Sequence, residues 1–486
     1  MNVQPPQLDL SVLRACSGIR QPLPMAVRAA QGLPALGSDE LCKAVDEAGA
    51  VSFTGLRRKT ITALPFSLHG ERNMELVIQA DSLEGGGPIR LVDCTGIRIR
   101  ATGVLRPTGV EKFFLDINRC SHFTLDNLRT VGGRHTLLVS DSHSFSLDGV
   151  NSRKGEGYGI ILHNCHHFIL ENCLVEKNLA GIMIVGQSHT GQIRHCTARD
   201  LRGFCNCDAG VHLCATSTHV TGSDIPEKCH EALSIEKKTR RPGGMVIEKS
   251  TFAHCRAQGI YLEGAVNCLI RDNIIVGNNK EGICFDWGSC NSLFVNNLVT
   301  LNGERRALSA EEIRIDFIEK YPLLADGSSS MKLPGISMDN GCMNLIDSNR
   351  IISNYGGGIK MIRASFLNRI SNNLLLSNAL GNNGYLPGFH GISALGVGMG
   401  QNEFSGDKNS LLDFLPSVAN SICDNTIKEQ CHALFFARGA NGNFAENNLI
   451  EPNPACIYTL PGLRQRITAR VRRVYRRLFP GNLVKQ

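Results

Sequence analysis

Three short stretches put a carboxylate at the same point after a glycine: GIYLEG (259–264), GICFDW (282–287) and GISMDN (335–340) carry Glu263, Asp286 and Asp339. Superimposing the segments that open at Gly210, Ala232, Gly259, Gly282, Gly335 and Gly358 places apolar residues at positions two and four. In a strand those share one face, so positions three and five share the other. Position three reads His212, Ser234, Tyr261, Cys284, Ser337 and Lys360; position five reads Cys214, Glu236, Glu263, Asp286, Asp339 and Ile362. The pattern predicts a ladder of acids, Glu236, Glu263, Asp286 and Asp339, on consecutive strands. His212, Tyr261, Lys237, Lys360 and Arg363 border it.

Two chemistries use such a row. In glycoside hydrolysis one carboxyl protonates the leaving oxygen and another attacks or activates water, at separations of about 5 Å or about 6.5 to 9.5 Å. In β-elimination the acids bind calcium that neutralises a substrate carboxylate, while a Lys or Arg removes the α-proton. The first makes Glu236, Glu263, Asp286 and Asp339 catalytic. The second makes Glu263, Asp286 and Asp339 calcium ligands, with Lys360 as base and Arg363 beside it. Trp287 and Asn340 directly follow ladder acids and join His212, Lys237, Tyr261 and Arg363 as candidate sugar contacts, although packing explains the tryptophan equally well. The plain alternative for the whole row is a solvated polar face. Cys205, Cys207, Cys214, Cys229 and His230 suggest zinc, but no two Cys-x-x-Cys pairs accompany them, and buried thiols are commoner. His163, His166 and His167 lie on a coil without ladder acids and read as solvated.

The elements that position the row repeat. NIIVGN from 273, NLVTLN from 297, NRIISN from 349 and NLLLSN from 373 share a leading asparagine and a second one five residues on, and Asn425 and Asn448 continue the series. Cys173, Cys196 and Ser250 take the same slot upstream. A period of 22 to 24 residues with short β-rich pairs, turn glycines and aligned asparagines is a solenoid pattern, one coil per period. Stacked amides can then bond from coil to coil.

Over residues 50 to 458 this repeat resembles the right-handed parallel β-helix proteins of the pectin-lyase-like superfamily. SDELCKAVDEAGAVSF (38–53) is similar to the short helix that caps their first coil. The resemblance implies an all-β single-domain solenoid with an N-terminal capping helix, and a polysaccharide as substrate. It does not choose among lyases, hydrolases, epimerases and non-catalytic binding or assembly modules. The paired-aspartate and Gly-His-Gly motifs of polygalacturonases and the Asp-Pro-His of alginate epimerases are absent.

The organisation expected is an arm and capping helix over 1–50, a β-helix over 51–458 and a basic tail over 459–486. Insertions interrupt the period near 202–209, 237–244, 303–334 and 379–390; in the third, Ser309 and Glu312 form a capping box for a short helix. These insertions should wall one groove. The net charge of +7 resides in the tail, where eight basic residues and no acid follow residue 460. LRQRITARVRRVYRRLF (463–479) has helical spacing of its apolar residues and predicts a basic amphipathic helix. It either caps the last coil or attaches to an anionic membrane surface or acidic partner. No base-reading motif accompanies the arginines, which argues against nucleic acid. No apolar run is long enough to span a bilayer, and no basic and apolar leader opens the chain. The 19 scattered cysteines suit a reducing compartment, so the expected location is cytoplasmic, with membrane association through the tail.

Overall fold

The computed structural model describes residues 55–107, 113–203, 208–215, 241–286, 288–304, 333–339, 341–362, 365–378, 390–394, 417, 419–430, 432–436, 443–452 and 483–484. Two compact units divide these, one ending at Ile274 and the other beginning at Ile275. Both are built of coils whose strands pair in parallel.

In the first unit a coil runs through three strands, for example His143–Asp148, Asn151–Arg153 and Tyr158–His163. The next coil repeats them as His166–Glu171, Leu174–Glu176 and Ala180–Val185, paired in parallel and in register. The second unit repeats the plan with shorter strands, such as Ile336–Asp339, Leu345–Asp347 and Arg350–Ile352 beside Ile359–Ile362, Arg369–Ser371 and Leu374–Leu376. Alternation sends one face of each strand inward. Phe123, Phe145 and Phe168 stack there at 4.7 and 5.5 Å between centroids. Apolar burial of this kind is the main driving force for closing a coil.

The corner between the first and second strand explains the asparagines. A residue in the left-handed conformation precedes each ladder position, as at Asn172, Asp272, Asn296, Asn372 and Asp424, and Asn and Asp tolerate that region best after glycine. The following ladder residue turns inward and accepts from the coil before it. Asn349 Oδ1 receives the Asn297 N–H at 2.9 Å and its Nδ2 at 3.0 Å, and Asn373 Oδ1 does the same for Asn349. In the first unit, Ser250 Oγ receives the Cys196 N–H at 3.0 Å and Asn273 Oδ1 receives the Ser250 N–H at 3.0 Å. Buried main-chain donors are thereby satisfied at these turns.

Close approach explains the glycine that opens the Gly-Ile strands. A Cβ on Gly210 would lie 2.5 Å from the Gly259 carbonyl oxygen, and one on Gly282 would lie 2.7 Å from Val299 Cγ1 and 2.9 Å from the Gly335 oxygen.

Two expectations are corrected. The predicted strand at 232–236 lies outside the described residues, and the rung expected there is not the neighbour of Val211–Cys214. Val211–Cys214 pairs directly with Ile260–Glu263, His212 opposite Tyr261 and Cys214 opposite Glu263, so no strand carrying Glu236 stands between them. The pattern misled because Ala-Leu-Ser-Ile-Glu alternates like a rung, while strand pairing is decided by what each edge meets. The fold class is corrected as well, from a β-helix with a capping helix and a basic terminal helix to an all-β parallel β-helix. Among the described residues the one named helical element is the 3₁₀ turn Ala80–Ser82, and no helix of seven residues or more occurs. The segments 38–53 and 463–479 lie outside the described residues, as does the capping box at Ser309. Part of the tail instead supplies a strand, Leu483–Val484, paired in parallel with Phe444–Glu446. No helix among the described residues is long and apolar enough to cross a membrane.

Candidate functional site

In each unit the outward face of a parallel sheet carries the candidates. In the first unit its rungs include Phe113–Asn118, His135–Ser140, Tyr158–His163, Ala180–Val185, Val211–Cys214 and Ile260–Glu263. Register aligns Asp116, Leu138, Ile161, Met183, His212 and Tyr261 in one outward row. Asn118, Ser140, His163, Val185, Cys214 and Glu263 form the second row. Both rows change character along the unit. Leu138, Ile161, Met183 and Val185 are buried with Phe113, Tyr158, Ala180 and Cys214 in one apolar cluster, and the following rung brings Tyr261 and Glu263. Toward the start of the row Asp116, opposite Arg90 on the preceding strand, has its carboxyl held above the usual range by burial, against the opposing pull of Arg90.

Where the apolar rows end, three donor side chains converge. Glu263 Oε2 accepts the Cys214 Sγ–H at 3.1 Å and lies 3.2 Å from His212 Nε2. The side chains reach each other because positions three and five of adjacent rungs are neighbours on one face. His212 and Cys214 are fully buried and Glu263 is 1% exposed. The His212 ring leans on Tyr261, with 4.8 Å between centroids and planes tilted by 35°. His212 Nδ1 is buried and makes no hydrogen bond. Among the described residues these three form the group whose ligand atoms, within 4.8 Å of one another, could hold a metal ion.

The second unit carries the remaining acids on Ile283–Asp286 and Ile336–Asp339. These strands pair through Ile283–Ile336, Cys284–Ser337 and Phe285–Met338, which makes Asp286 and Asp339 the next residues along two adjacent strands. Phe285 and Met338 point into the core, so by alternation the two aspartates face outward. Asp339 is buried and Asp286 half-buried. On the next rung Lys360 stands opposite Ser337 and is half-buried.

The structure therefore brings His212, Tyr261 and Glu263 together in one unit, and Asp286, Asp339 and Lys360 in the other. Glu236, Lys237, Trp287, Asn340 and Arg363 lie outside the described residues, as do Cys205, Cys207, Cys229 and His230 of the zinc reading. Cys214, named from the sequence only in the zinc group that was set aside, joins His212 and Glu263 instead. The signal was present in the spacing, because His-x-Cys at 212–214 aligns with Tyr-x-Glu at 261–263, but only direct pairing of the two strands makes it meaningful.

The histidines read as solvated have closer neighbours than expected. His143, His166 and His189 occupy one register position on three successive strands. The His166 and His189 rings stack at 4.0 Å. Burial and then the neighbouring imidazoles His189, His167 and His143 pull His166 down to about 4.

A family model described as right handed beta helix region matches residues 112–225 and 209–409 of the chain. No curated protein matches the sequence. Among solved structures, the A-module of a mannuronan C-5 epimerase from Azotobacter vinelandii, AlgE6, is similar at 11% identity and TM-score 0.37, over 85% of this chain and 94% of that one. The catalytic domain of a GH87 alpha-1,3-glucanase is similar at 12% identity and TM-score 0.42, over 89% of this chain and 63% of that one. PfbA, a surface adhesin of Streptococcus pneumoniae, is similar at 10% identity and TM-score 0.38, over 76% of this chain and 83% of that one. At these values the likenesses say nothing about activity.

Proposed function

We infer the activity from the premise that the chain belongs to the right-handed β-helix family: it is a carbohydrate-active enzyme that cleaves glycosidic bonds of a polysaccharide. The resemblance to pectin-lyase-like proteins supplies the substrate class. The observation that carries the chemistry is the pairing of Ile283–Asp286 with Ile336–Asp339, which sets Asp286 and Asp339 on neighbouring rungs of an outward face. Adjacent parallel strands lie about 4.8 Å apart, close to the roughly 5 Å separation of acid and nucleophile in retaining hydrolysis. Asp339, the more buried, suits the proton donor, and Asp286, with more access to water, suits the nucleophile. Glu263 is excluded from this pair because one of its oxygens is already engaged by His212 and Cys214.

Lys360, one rung beyond Asp339, favours a second reading, β-elimination with Lys360 as the base and calcium on the acids. The two are separated by their products. Purified protein is incubated with neutral and with uronate-containing polysaccharides, with and without chelator. Hydrolysis releases reducing ends that chelator does not suppress. Elimination adds an ultraviolet-absorbing unsaturated uronate and stops when calcium is removed.

A further inference from the structure

We propose that His212, Cys214 and Glu263 form a binding site for a divalent transition metal of the zinc type. The donors are His212 Nε2, Cys214 Sγ and Glu263 Oε2, and all three lie on two directly paired strands. The proposal is independent of the catalytic reading, since it uses neither Asp286 nor Asp339.

The donor set argues for the ion in three ways. First, the separations of 3.1 and 3.2 Å around Glu263 Oε2 are slightly shorter than the edges of a tetrahedron built on zinc bonds of about 2.0 to 2.3 Å. A small outward adjustment admits the ion. Second, charge balances. A thiolate and a carboxylate neutralise a dication and a neutral imidazole completes the set, so the centre is uncharged where Cys214 joins the apolar cluster of Leu138, Ile161, Met183 and Val185. A buried charge left unbalanced there would be strongly disfavoured. Third, neither neutral tautomer of His212 satisfies both of its nitrogens. With the proton on Nε2, Nδ1 is a buried acceptor without a donor; with the proton on Nδ1, two lone-pair-bearing atoms, Nε2 and Glu263 Oε2, face each other at 3.2 Å. A cation between Nε2 and Oε2 removes that repulsion and leaves only the Nδ1–H without an acceptor.

The same set discriminates among ions. Calcium takes six to eight oxygen ligands and magnesium demands an octahedron of oxygens, whereas imidazole and thiolate suit zinc, cobalt and copper. Binding converts the Cys214 thiol to thiolate and releases its proton to solvent, one proton per ion. Three protein ligands leave a fourth position, as in zinc sites that retain a water.

The test uses the full chain, stripped with chelator and titrated with Co²⁺ under reducing conditions, because cobalt bound by a thiolate shows a near-ultraviolet charge-transfer band. The expected result is one equivalent of cobalt with that band, displaced by Zn²⁺ and unaffected by a large excess of Ca²⁺. Cys214→Ser should remove the band and weaken binding by about 100-fold or more. Cys173→Ser, at a buried thiol in a slot that serine also fills, should retain both. Far-ultraviolet circular dichroism verifies that each variant is folded, and Glu263→Gln serves as the second variant if Cys214→Ser is not. The proposal is overturned if no cobalt binds, if Ca²⁺ displaces it equally well, or if a folded Cys214→Ser or Glu263→Gln keeps the wild-type stoichiometry and band.

Discussion

Asn302 is tied to Asn354 on the neighbouring rung by two bonds: its main-chain N–H and its Nδ2 both donate to Asn354 Oδ1, at 3.1 and 3.0 Å. Asn354 passes the pattern on, donating its own N–H and Nδ2 to Asn378 Oδ1 at 3.1 and 2.9 Å and Nδ2 to the Val299 oxygen at 3.0 Å. It is fully buried, so none of these groups can turn to water instead. Asn354→Ala leaves the Asn302 main-chain N–H without its acceptor, while Asn302 Nδ2 keeps the Ile275 and Thr300 oxygens, and should cost about 1 to 3 kcal/mol. Urea denaturation measures it. A loss below about 0.5 kcal/mol, the range of ordinary surface substitutions, would mean the ladder contributes little.

Buried thiols at the coil corners of the first unit should behave differently. Cys165 is fully buried and burial holds its thiol far above the ordinary range; burial likewise pushes Cys255 up to about 12. Neither should react with a thiol reagent at mildly alkaline pH until the protein unfolds. Cys165 stands in a row with Ser142 and Ser188, and its N–H donates to Ser188 Oγ at 3.0 Å. Cys165→Ser should therefore change stability by less than about 1 kcal/mol. Rapid labelling of Cys165 in the native protein, seen by peptide mapping, would contradict this placement.

The imidazole row predicts a pH dependence with a definite sign. The folded state holds His166 at about 4, below the ordinary histidine value, chiefly through burial and then through His189, His167 and His143. His143 and His189 are lowered too, with burial again the first cause. Between about 4 and the unfolded value near 6.5 the unfolded chain binds more protons, so stability falls as pH drops through that window. Denaturation midpoints at pH 7, 6 and 5 should decline progressively, less steeply in His166→Phe. A midpoint unchanged over that range would show that the stacked rings exact no cost on protonation.

How much of this was legible in the sequence follows from which interactions repeat. The asparagine ladder was readable because one side chain satisfies the same main-chain donor on successive coils, so its spacing is written into the chain. The outward position of Glu263, Asp286 and Asp339 was readable for the same reason, through strand alternation. The rung at 232–236 was not, because alternation is local while pairing is a long-range choice, and Val211–Cys214 meets Ile260–Glu263 across an insertion. The His212–Cys214–Glu263 cluster was hidden by that same error. With a strand placed between them, the histidine and the carboxylate could not touch. The stacking of His166 on His189 was equally hidden, since a coil without acids suggests solvent until the next coil is laid against it.

The most direct measurement of the central claim is the initial rate of reducing-end release from the best polysaccharide substrate, for the wild type, Asp286→Asn and Asp339→Asn, each verified as folded. Removing a positioned acid or nucleophile should lower the rate by about 100-fold or more in either variant, while Asp424→Asn, at an exposed turn, should leave it unchanged. The account is contradicted if folded Asp286→Asn and Asp339→Asn retain the wild-type rate, or if the folded wild type releases no product from any neutral or uronate polysaccharide.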